Sequence, residues 1–113
     1  MIVEARGQCP EEFRRSLVKI IAIAHRNQEK PAEAFAPHME REAKKVLSLM
    51  AEDVVREVYS RNDGKGAIFV LEAESVAAVE KRFAELPFVQ NGLLSFEIYA
   101  VGPYRGIIAA AEA

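Results

Sequence analysis

Residues 54–73 read VVREVYSRNDGKGAIFVLEA. Two runs rich in β-branched and aromatic residues, 54–61 and 67–73, flank the turn sequence NDGKG, whose Asn, Asp and Gly residues tolerate a positive φ. This pattern predicts a β-hairpin. The hairpin lies in the middle of the predicted order of elements along the chain, because a strand and a helix are predicted before it and a helix and a strand after it.

A helix is predicted before the hairpin, over residues 31–53. Apolar residues recur there at steps of four, four, three and four, which places them on one helical face: Phe35, Met39, Ala43, Val46 and Met50. The charged residues nearby lie largely off this stripe: Glu40, Glu42, Lys44 and Lys45. Because Pro37 has no backbone N–H, we expect the regular helix to begin near it.

A second helix is predicted after the hairpin. Ser75 is a favourable N-cap residue, and Pro87 ends the segment. Between them, apolar residues step by three, four and three: Val76, Val79, Phe83 and Leu86. We therefore expect an amphipathic helix that buries these four residues.

The outer strands lie nearer the two ends of the chain. Residues 17–24, LVKIIAIA, form a short β-branched run that predicts a buried strand. Gly92 allows a turn into the last strand, residues 93–101, in which apolar and polar side chains alternate. One face of that strand carries Leu94, Phe96, Ile98 and Ala100, and the other carries Ser95, Glu97 and Tyr99.

The resulting order, β-α-β-β-α-β, predicts a ferredoxin-like α+β sandwich, in which an antiparallel sheet carries both helices on one face. A chain of 113 residues forms one such domain, with its core at about residues 17–106. We expect a second copy to cover the other sheet face, giving a dimeric α+β barrel, unless residues 1–15 or the tail after Pro103 fold over it. Residues 1–15 are expected to be flexible or arm-like, and the alanine-rich residues 109–113 to be disordered.

Composition excludes several classes of partner. Lys and Arg number 15 against 17 Asp and Glu, with interspersed signs, so no basic surface is expected for nucleic acid or for an anionic membrane. The lone Cys9 can form neither an internal disulfide nor a cysteine-based zinc site. The apolar run 17–24 is too short to span a bilayer, and the acidic side chains of residues 1–15 are unlike a signal peptide. We therefore expect a cytoplasmic protein.

Residues 86–93 read LPFVQNGL and are followed by Phe96-Glu97-Ile98 and then by Pro103-Tyr104. This arrangement resembles the final turn and strand of YCII-related proteins and of muconolactone isomerase-like proteins, both in the dimeric α+β barrel group. The helix FAPHMEREAKKVL, residues 35–47, and the hairpin extend the resemblance to about residues 17–106. The resemblance implies a homodimeric barrel from a group that includes isomerases, cofactor-free monooxygenases, dehalogenating enzymes and stress proteins.

The resemblance also implies functional residues. YCII-related proteins place a His at the start of the first helix and an Asp before the Pro-aromatic-Val turn; His38 falls near the first position, but Leu86 replaces the Asp. In the isomerase-like branch the last strand reads acidic-apolar-Glu-apolar. Glu97 matches the Glu, and Ser95 replaces the preceding acid. The resemblance thus implies an isomerase-like role for Glu97 and leaves the YCII-type pair incomplete.

Strand alternation predicts where polar side chains meet. The sheet face away from the helices is expected to carry Lys19, His25, Glu57, Tyr59, Arg61, Ser95, Glu97 and Tyr99. These side chains can converge on a cavity between two subunits, where desolvation raises the pKa of a carboxyl group toward neutrality. Glu97 is then the candidate base for a proton next to a carbonyl, with His25 as its catalytic partner. The candidate substrate-binding residues are Tyr59, Arg61, His38 and Tyr99.

The same residues also have structural explanations. Glu97 can form an ion pair with a neighbouring cation, and His25 can be a strand-end histidine near solvent. Tyr59 and Arg61 can pair across the hairpin, and His38 can be a surface residue.

Two functions therefore stay open from the sequence. The first is a small-molecule-binding barrel that performs proton transfer on an unsaturated lactone-like substrate, as the isomerase-like resemblance implies. The alternative is a non-catalytic ligand-binding or stress-associated barrel. No metal site is expected, because His25 and His38 lie 13 positions apart without helical ligand spacing. No cofactor is expected, since the sequence has no glycine-rich phosphate loop.

Overall fold

The structure is a computed structural model, which describes residues 17–112. The strands are β1 (Val18–Arg26), β2 (Val55–Ser60), β3 (Gly66–Ala73) and β4 (Leu94–Val101). The helices are α1 (Ala32–Phe35), α2 (Met39–Ala51), α3 (Val76–Phe83), α4 (Pro87–Gln90) and α5 (Arg105–Glu112), and a 3₁₀ turn (Ala36–His38) joins α1 to α2.

The four strands form one antiparallel sheet in the order β2-β3-β1-β4. Strand β1 lies between β3 and β4, so that Ile20 is opposite both Leu71 and Ala100. Helices α2 and α3 pack on one face of this sheet, which is the ferredoxin-like arrangement. The predicted α+β fold is therefore confirmed, and so is the predicted hairpin, whose strand β2 forms one edge of the sheet.

The core lies between that sheet face and the helices. Alternate residues of β1 face it, and Ile20, Ala22 and Ala24 are fully buried. The other core residues come from α2, from β2 and β3, and from α3 and the segment after it: Leu49, Val55, Phe69, Leu71, Val79, Phe83 and Leu86. Phe83 stacks on Phe96 of β4 with ring centroids 4.2 Å apart, which ties α3 to the edge of the sheet.

The hairpin turn brings β3 very close to β1. Gly66 has a φ of 153°, and a Cβ built on it would lie 1.9 Å from the carbonyl oxygen of Ala24. A side chain at this position is therefore excluded by both conformation and space. Asp63 stabilises the same turn by accepting the backbone N–H of Lys65 at 2.9 Å.

The predicted buried stripe of the first helix is partly wrong. Phe35 is buried and Val46 half-buried, but Met39 and Ala43 are exposed, and Glu42 and Leu49 are buried instead. The helix packs through the face that carries Glu42, Val46 and Leu49, which lies next to the predicted stripe on the helix surface. The expectation that the regular helix begins near Pro37 is confirmed, since α2 begins at Met39.

The second predicted helix is confirmed in its start and its buried face. The Ser75 hydroxyl accepts the backbone N–H of Ala78 at 3.1 Å, as an N-cap does. The predicted end of this helix is wrong, because the helix ends at Phe83 and leaves Leu86 outside it. Pro87 instead begins the short helix α4, which was not predicted. This extra turn places the backbone N–H of Phe88 against the Glu42 side chain of α2.

The structure corrects one expectation about the C-terminal residues and one about the end of β1. Residues 109–112 were expected to be disordered but belong to α5, all of whose residues are exposed. His25 lies within β1 and not after it, because pairing with β3 and β4 continues the strand to Arg26. The expectations for residues 1–15 lie outside the described residues. Across residues 17–112, no helix has both the length and the apolar character that crossing a bilayer requires.

Candidate active site

The sheet face opposite the helices, here called the open face, carries the polar side chains that strand alternation predicts. Glu97 lies opposite Ile23, and Ser95 lies opposite His25, which in turn lies opposite Gly66. Tyr59 and Glu57 lie on the far strand, opposite Ile68 and Val70. The open face therefore has an apolar centre flanked by polar groups on both sides.

Four of the predicted residues come together at one side of the open face: His25, Arg61, Glu97 and Tyr99, here called the His25 cluster. Arg61 Nη1 lies 3.0 Å from His25 Nδ1, and its Nη2 lies 2.6 Å from Asp63 Oδ2. Because a guanidinium only donates, Nδ1 must accept, which assigns the ring proton of a neutral His25 to Nε2.

The other nitrogen of His25 faces Glu97. Nε2 lies 3.2 Å from Glu97 Oε2, within ion-pair distance, yet it is not aligned for a hydrogen bond and is buried without a hydrogen-bond partner. The Tyr99 hydroxyl donates to Glu97 Oε1 at 3.2 Å, and this bond to a carboxylate raises the pKa of Tyr99. Glu97 remains half-exposed, so the cluster is wet in the single chain.

Two predicted substrate-binding residues lie elsewhere. The Tyr59 hydroxyl donates to Glu57 Oε1 at 2.5 Å, which raises the pKa of Tyr59, and β3 and β1 separate it from Glu97. His38 ends the 3₁₀ turn in the helix layer, with its Nδ1 2.5 Å from Arg41 Nη2. Within one chain, neither residue joins the His25 cluster.

A cavity of about 440 Å³ opens on the other side of the sheet, between α2, α4 and the hairpin end of the strands. Its walls are mainly apolar and include Phe35, Met39, Val46, Val58, Phe88 and Leu94. The Phe35 and Phe88 rings meet edge to face with centroids 5.4 Å apart. We call this cavity the Glu42 pocket, after the one acidic residue that lines it.

Glu42 is the only charged residue buried among residues 17–112, with 8% of its surface exposed. Its burial raises the pKa of the carboxyl group, and the backbone N–H of Phe88, which donates to Oε1 at 2.9 Å, partly opposes that rise. Glu42 forms no ion pair with any cation of the described residues. A carboxyl in this environment can exchange a proton nearer neutral pH than an exposed glutamate can.

Glu42 was not predicted as a functional residue, because the apolar periodicity of the helix placed it off the expected buried stripe. A detectable signal was its spacing: Glu42 lies seven residues after Phe35, and Val46 and Leu49 follow it by four and seven. These spacings define one helical face. Glu42 could therefore have been predicted as a charged residue within an apolar helical face.

Two arginines stand at the Glu42 pocket, Arg26 and Arg61. The Arg61 guanidinium contacts the His25 ring and forms an ion pair with Asp63. The Arg26 guanidinium carbon instead lies 4.2 Å from the centroid of the Phe35 ring. Among residues 17–112, no group of three or more His, Cys, Asp or Glu side chains is arranged to hold a metal ion.

Comparison with known proteins supports the fold. The chain matches no family model, and no curated protein matches its sequence. It is similar to the structure of the 5-chloro-2-hydroxyhydroquinone dehydrochlorinase TftG from Burkholderia phenoliruptrix AC1100 in complex with 2,5-dihydroxybenzoquinone. The identity is 15% and the TM-score 0.57, over 77% of this chain and 97% of that one.

A second similar structure is a dimeric protein of unknown function with a ferredoxin-like fold from Bacteroides fragilis NCTC 9343. Its identity is 18% and its TM-score 0.41, over 76% of this chain and 97% of that one. At these identities the likeness to the dehydrochlorinase supports the ferredoxin-like α+β fold and not a specific family within it.

Proposed function

We propose that the chain forms a homodimeric α+β barrel that binds a small ring-shaped organic molecule in the Glu42 pocket and moves a proton on it without a cofactor. The observation that carries this proposal is the buried carboxyl group of Glu42, which has no ion-pair partner among the described residues and lines a mainly apolar cavity, where burial raises its pKa. The cavity volume of about 440 Å³ falls within the range of small-molecule pockets, about 300–1,000 Å³.

The chemistry follows from the environment of Glu42. As a carboxylate, it accepts a proton from a carbon next to a carbonyl; as a carboxylic acid, it returns the proton to another carbon of the same conjugated system. The net result is a shifted double bond, as in the isomerisation of an unsaturated lactone. The Phe88 N–H binds Oε1 and leaves Oε2 available for proton transfer, while Phe35 and Phe88 line the wall that the ligand ring would contact.

The similar dehydrochlorinase was determined in complex with 2,5-dihydroxybenzoquinone, a small conjugated ring. A ligand of that shape suits the aromatic walls of the Glu42 pocket. This parallel supports a ring-shaped ligand and leaves the reaction type to experiment.

The His25 cluster is a second candidate for the same chemistry, with Glu97 as the base and His25 as its partner. The favouring observation is the contact of His25 Nε2 with Glu97 Oε2 at 3.2 Å, which would let His25 assist proton transfer by the Glu97 carboxyl group. Tyr99 and Arg61 would then contact the ligand, and Tyr59 would reach the cluster only from a second copy. His38 lies in the helix layer and belongs neither to the His25 cluster nor to the lining of the Glu42 pocket, so its binding role stays a prediction.

Self-association is proposed through the open face. Its centre consists of half-buried β-branched residues on the two middle strands: Ile21, Ile23, Ile68 and Val70. Apposing two copies of this face removes these side chains from water and encloses both His25 clusters.

The test follows proton transfer directly. A β,γ-unsaturated lactone is incubated in D2O with the wild type, Glu42→Gln and Glu97→Gln, and NMR records deuterium incorporation and double-bond migration. We expect Glu42→Gln to retain lactone binding and lose about 10²–10⁴-fold in rate, while Glu97→Gln stays close to the wild type. Gln keeps an oxygen that can accept the Phe88 N–H, so the fold is preserved.

Each other outcome reassigns or overturns the proposal. Loss of activity in Glu97→Gln alone would move the base to the His25 cluster. Binding without any exchange in the wild type would favour the non-catalytic ligand-binding alternative. Absence of binding across a panel of lactones and quinones would refute the pocket as a ligand site.

A further inference from the structure

We infer that Arg26 anchors an anionic group, so that the Glu42 pocket takes ring compounds that carry one carboxylate. This inference rests on the proposed function, because it assumes that the pocket binds a ligand. It adds the ligand's charge, the residue that selects for it and the orientation in which the ligand enters.

The position of Arg26 follows from the register of β1. Arg26 ends the strand, lies opposite Leu94 of β4, and lies on the helix side, as Ala22 and Ala24 do. Its guanidinium carbon lies 4.2 Å from the Phe35 ring centroid. Phe35 and Leu94 both line the pocket, so this contact places a cation at the pocket's edge.

The charge of Arg26 has no carboxylate partner within residues 17–112. The other arginine at the pocket, Arg61, differs, since its Nη2 lies 2.6 Å from Asp63. Arg26 and Glu42 line one cavity without forming an ion pair with each other. The pocket thus holds a cation at its edge and a separate acid inside it.

A guanidinium over an aromatic ring keeps its N–H groups free to bind a carboxylate, often with two parallel hydrogen bonds. A ligand whose carboxylate meets Arg26 would place its ring beside the Phe35–Phe88 pair and against Glu42. This orientation also keeps the ligand's negative charge away from the Glu42 carboxyl, which has no cation of its own. A neutral ring would leave the Arg26 hydrogen-bonding groups to water.

The experiment compares two probes of the same shape, benzoate and benzamide, by NMR titration of the ¹⁵N-labelled full chain at constant ionic strength. We expect wild-type protein to bind benzoate at least about tenfold more tightly than benzamide, with shifts at the Phe35 and Phe88 amides. Arg26→Gln should weaken benzoate binding at least about tenfold and leave benzamide unchanged. Arg56→Gln is the control, because it removes the same charge at a site where Arg56 pairs with Asp53 and Glu72.

The outcomes separate this inference from the proposed function. If benzamide binds in the pocket as tightly as benzoate, the pocket stands and the anionic anchor is refuted. If Arg26→Gln and Arg56→Gln weaken benzoate equally, the effect is one of net charge and the anchor is refuted as well. If neither probe shifts the pocket amides at saturating concentration, both the pocket and the anchor fail.

Discussion

The two faces of one sheet hold carboxylates in opposite environments. On the helix side, Glu42 is buried among aromatic and aliphatic groups and forms no ion pair within the described residues. On the open face, Glu97 is half-exposed, faces a histidine and accepts a tyrosine hydroxyl. Glu97 was selected from the sequence because its position in β4 resembles a family motif. The pKa of a carboxyl group, however, depends on how far it is removed from water, which sequence position does not show.

The largest expected effect is the loss of stability when a buried side chain of α2 is truncated, compared with an exposed side chain of the same helix. Leu49 is fully buried against the helix side of the sheet, and Leu49→Ala should lower the free energy of unfolding by about 2–5 kcal/mol. Leu47→Ala is the matched control on the same helix, because Leu47 is 63% exposed, and its effect should stay within about 0.5 kcal/mol. Urea unfolding measures both, and equal losses would contradict the packing of α2 through the face that carries Leu49.

The open face should respond through assembly and not through the stability of each chain. Ile23→Lys places a charge at the centre of the proposed dimer interface, twice in each dimer, and should weaken association by at least about tenfold. Sedimentation velocity over a concentration series measures the change. The control is Ile107→Lys on the exposed helix α5. An unchanged dimer in Ile23→Lys, with unchanged circular dichroism, would show that the open face is not the interface.

The smallest expected effect is a difference in pH dependence. Burial raises the pKa of Glu42, so its contribution to stability is complete below the pKa of an unfolded glutamate and is lost as pH rises through the raised value. Asp63, beside the His25 cluster, has the opposite sign. The Lys65 N–H and the Arg61 guanidinium lower its pKa, so its contribution is present above the unfolded pKa and is lost as pH falls through the lowered value.

Urea unfolding across a range of pH compares the wild type with Glu42→Gln and Asp63→Asn. The wild type should lose stability relative to Glu42→Gln as pH rises, and relative to Asp63→Asn as pH falls. The same direction in both comparisons would contradict the two environments assigned here.

Local signals were sufficient for most of the architecture. The NDGKG turn, the Ser75 cap and the alternation of β4 each depend on residues close together in the chain, and all three are confirmed. The face on which His25, Glu97 and Tyr99 lie followed from the same alternation, because side chains on a strand point to opposite sides with a period of two.

The sequence alone thus determined the fold class and which strand residues face the helices, since periodicity and turn chemistry act over a few residues. Tertiary structure decided the candidate site. Helix α2 packs on the sheet through the face that carries Glu42, and the unexpected helix α4 supplies the Phe88 N–H that binds its carboxyl group. The contact between Arg61 and His25 spans 36 positions. Such contacts form only when distant segments pack, because burial and hydrogen bonding depend on neighbours in space and not on neighbours in the chain.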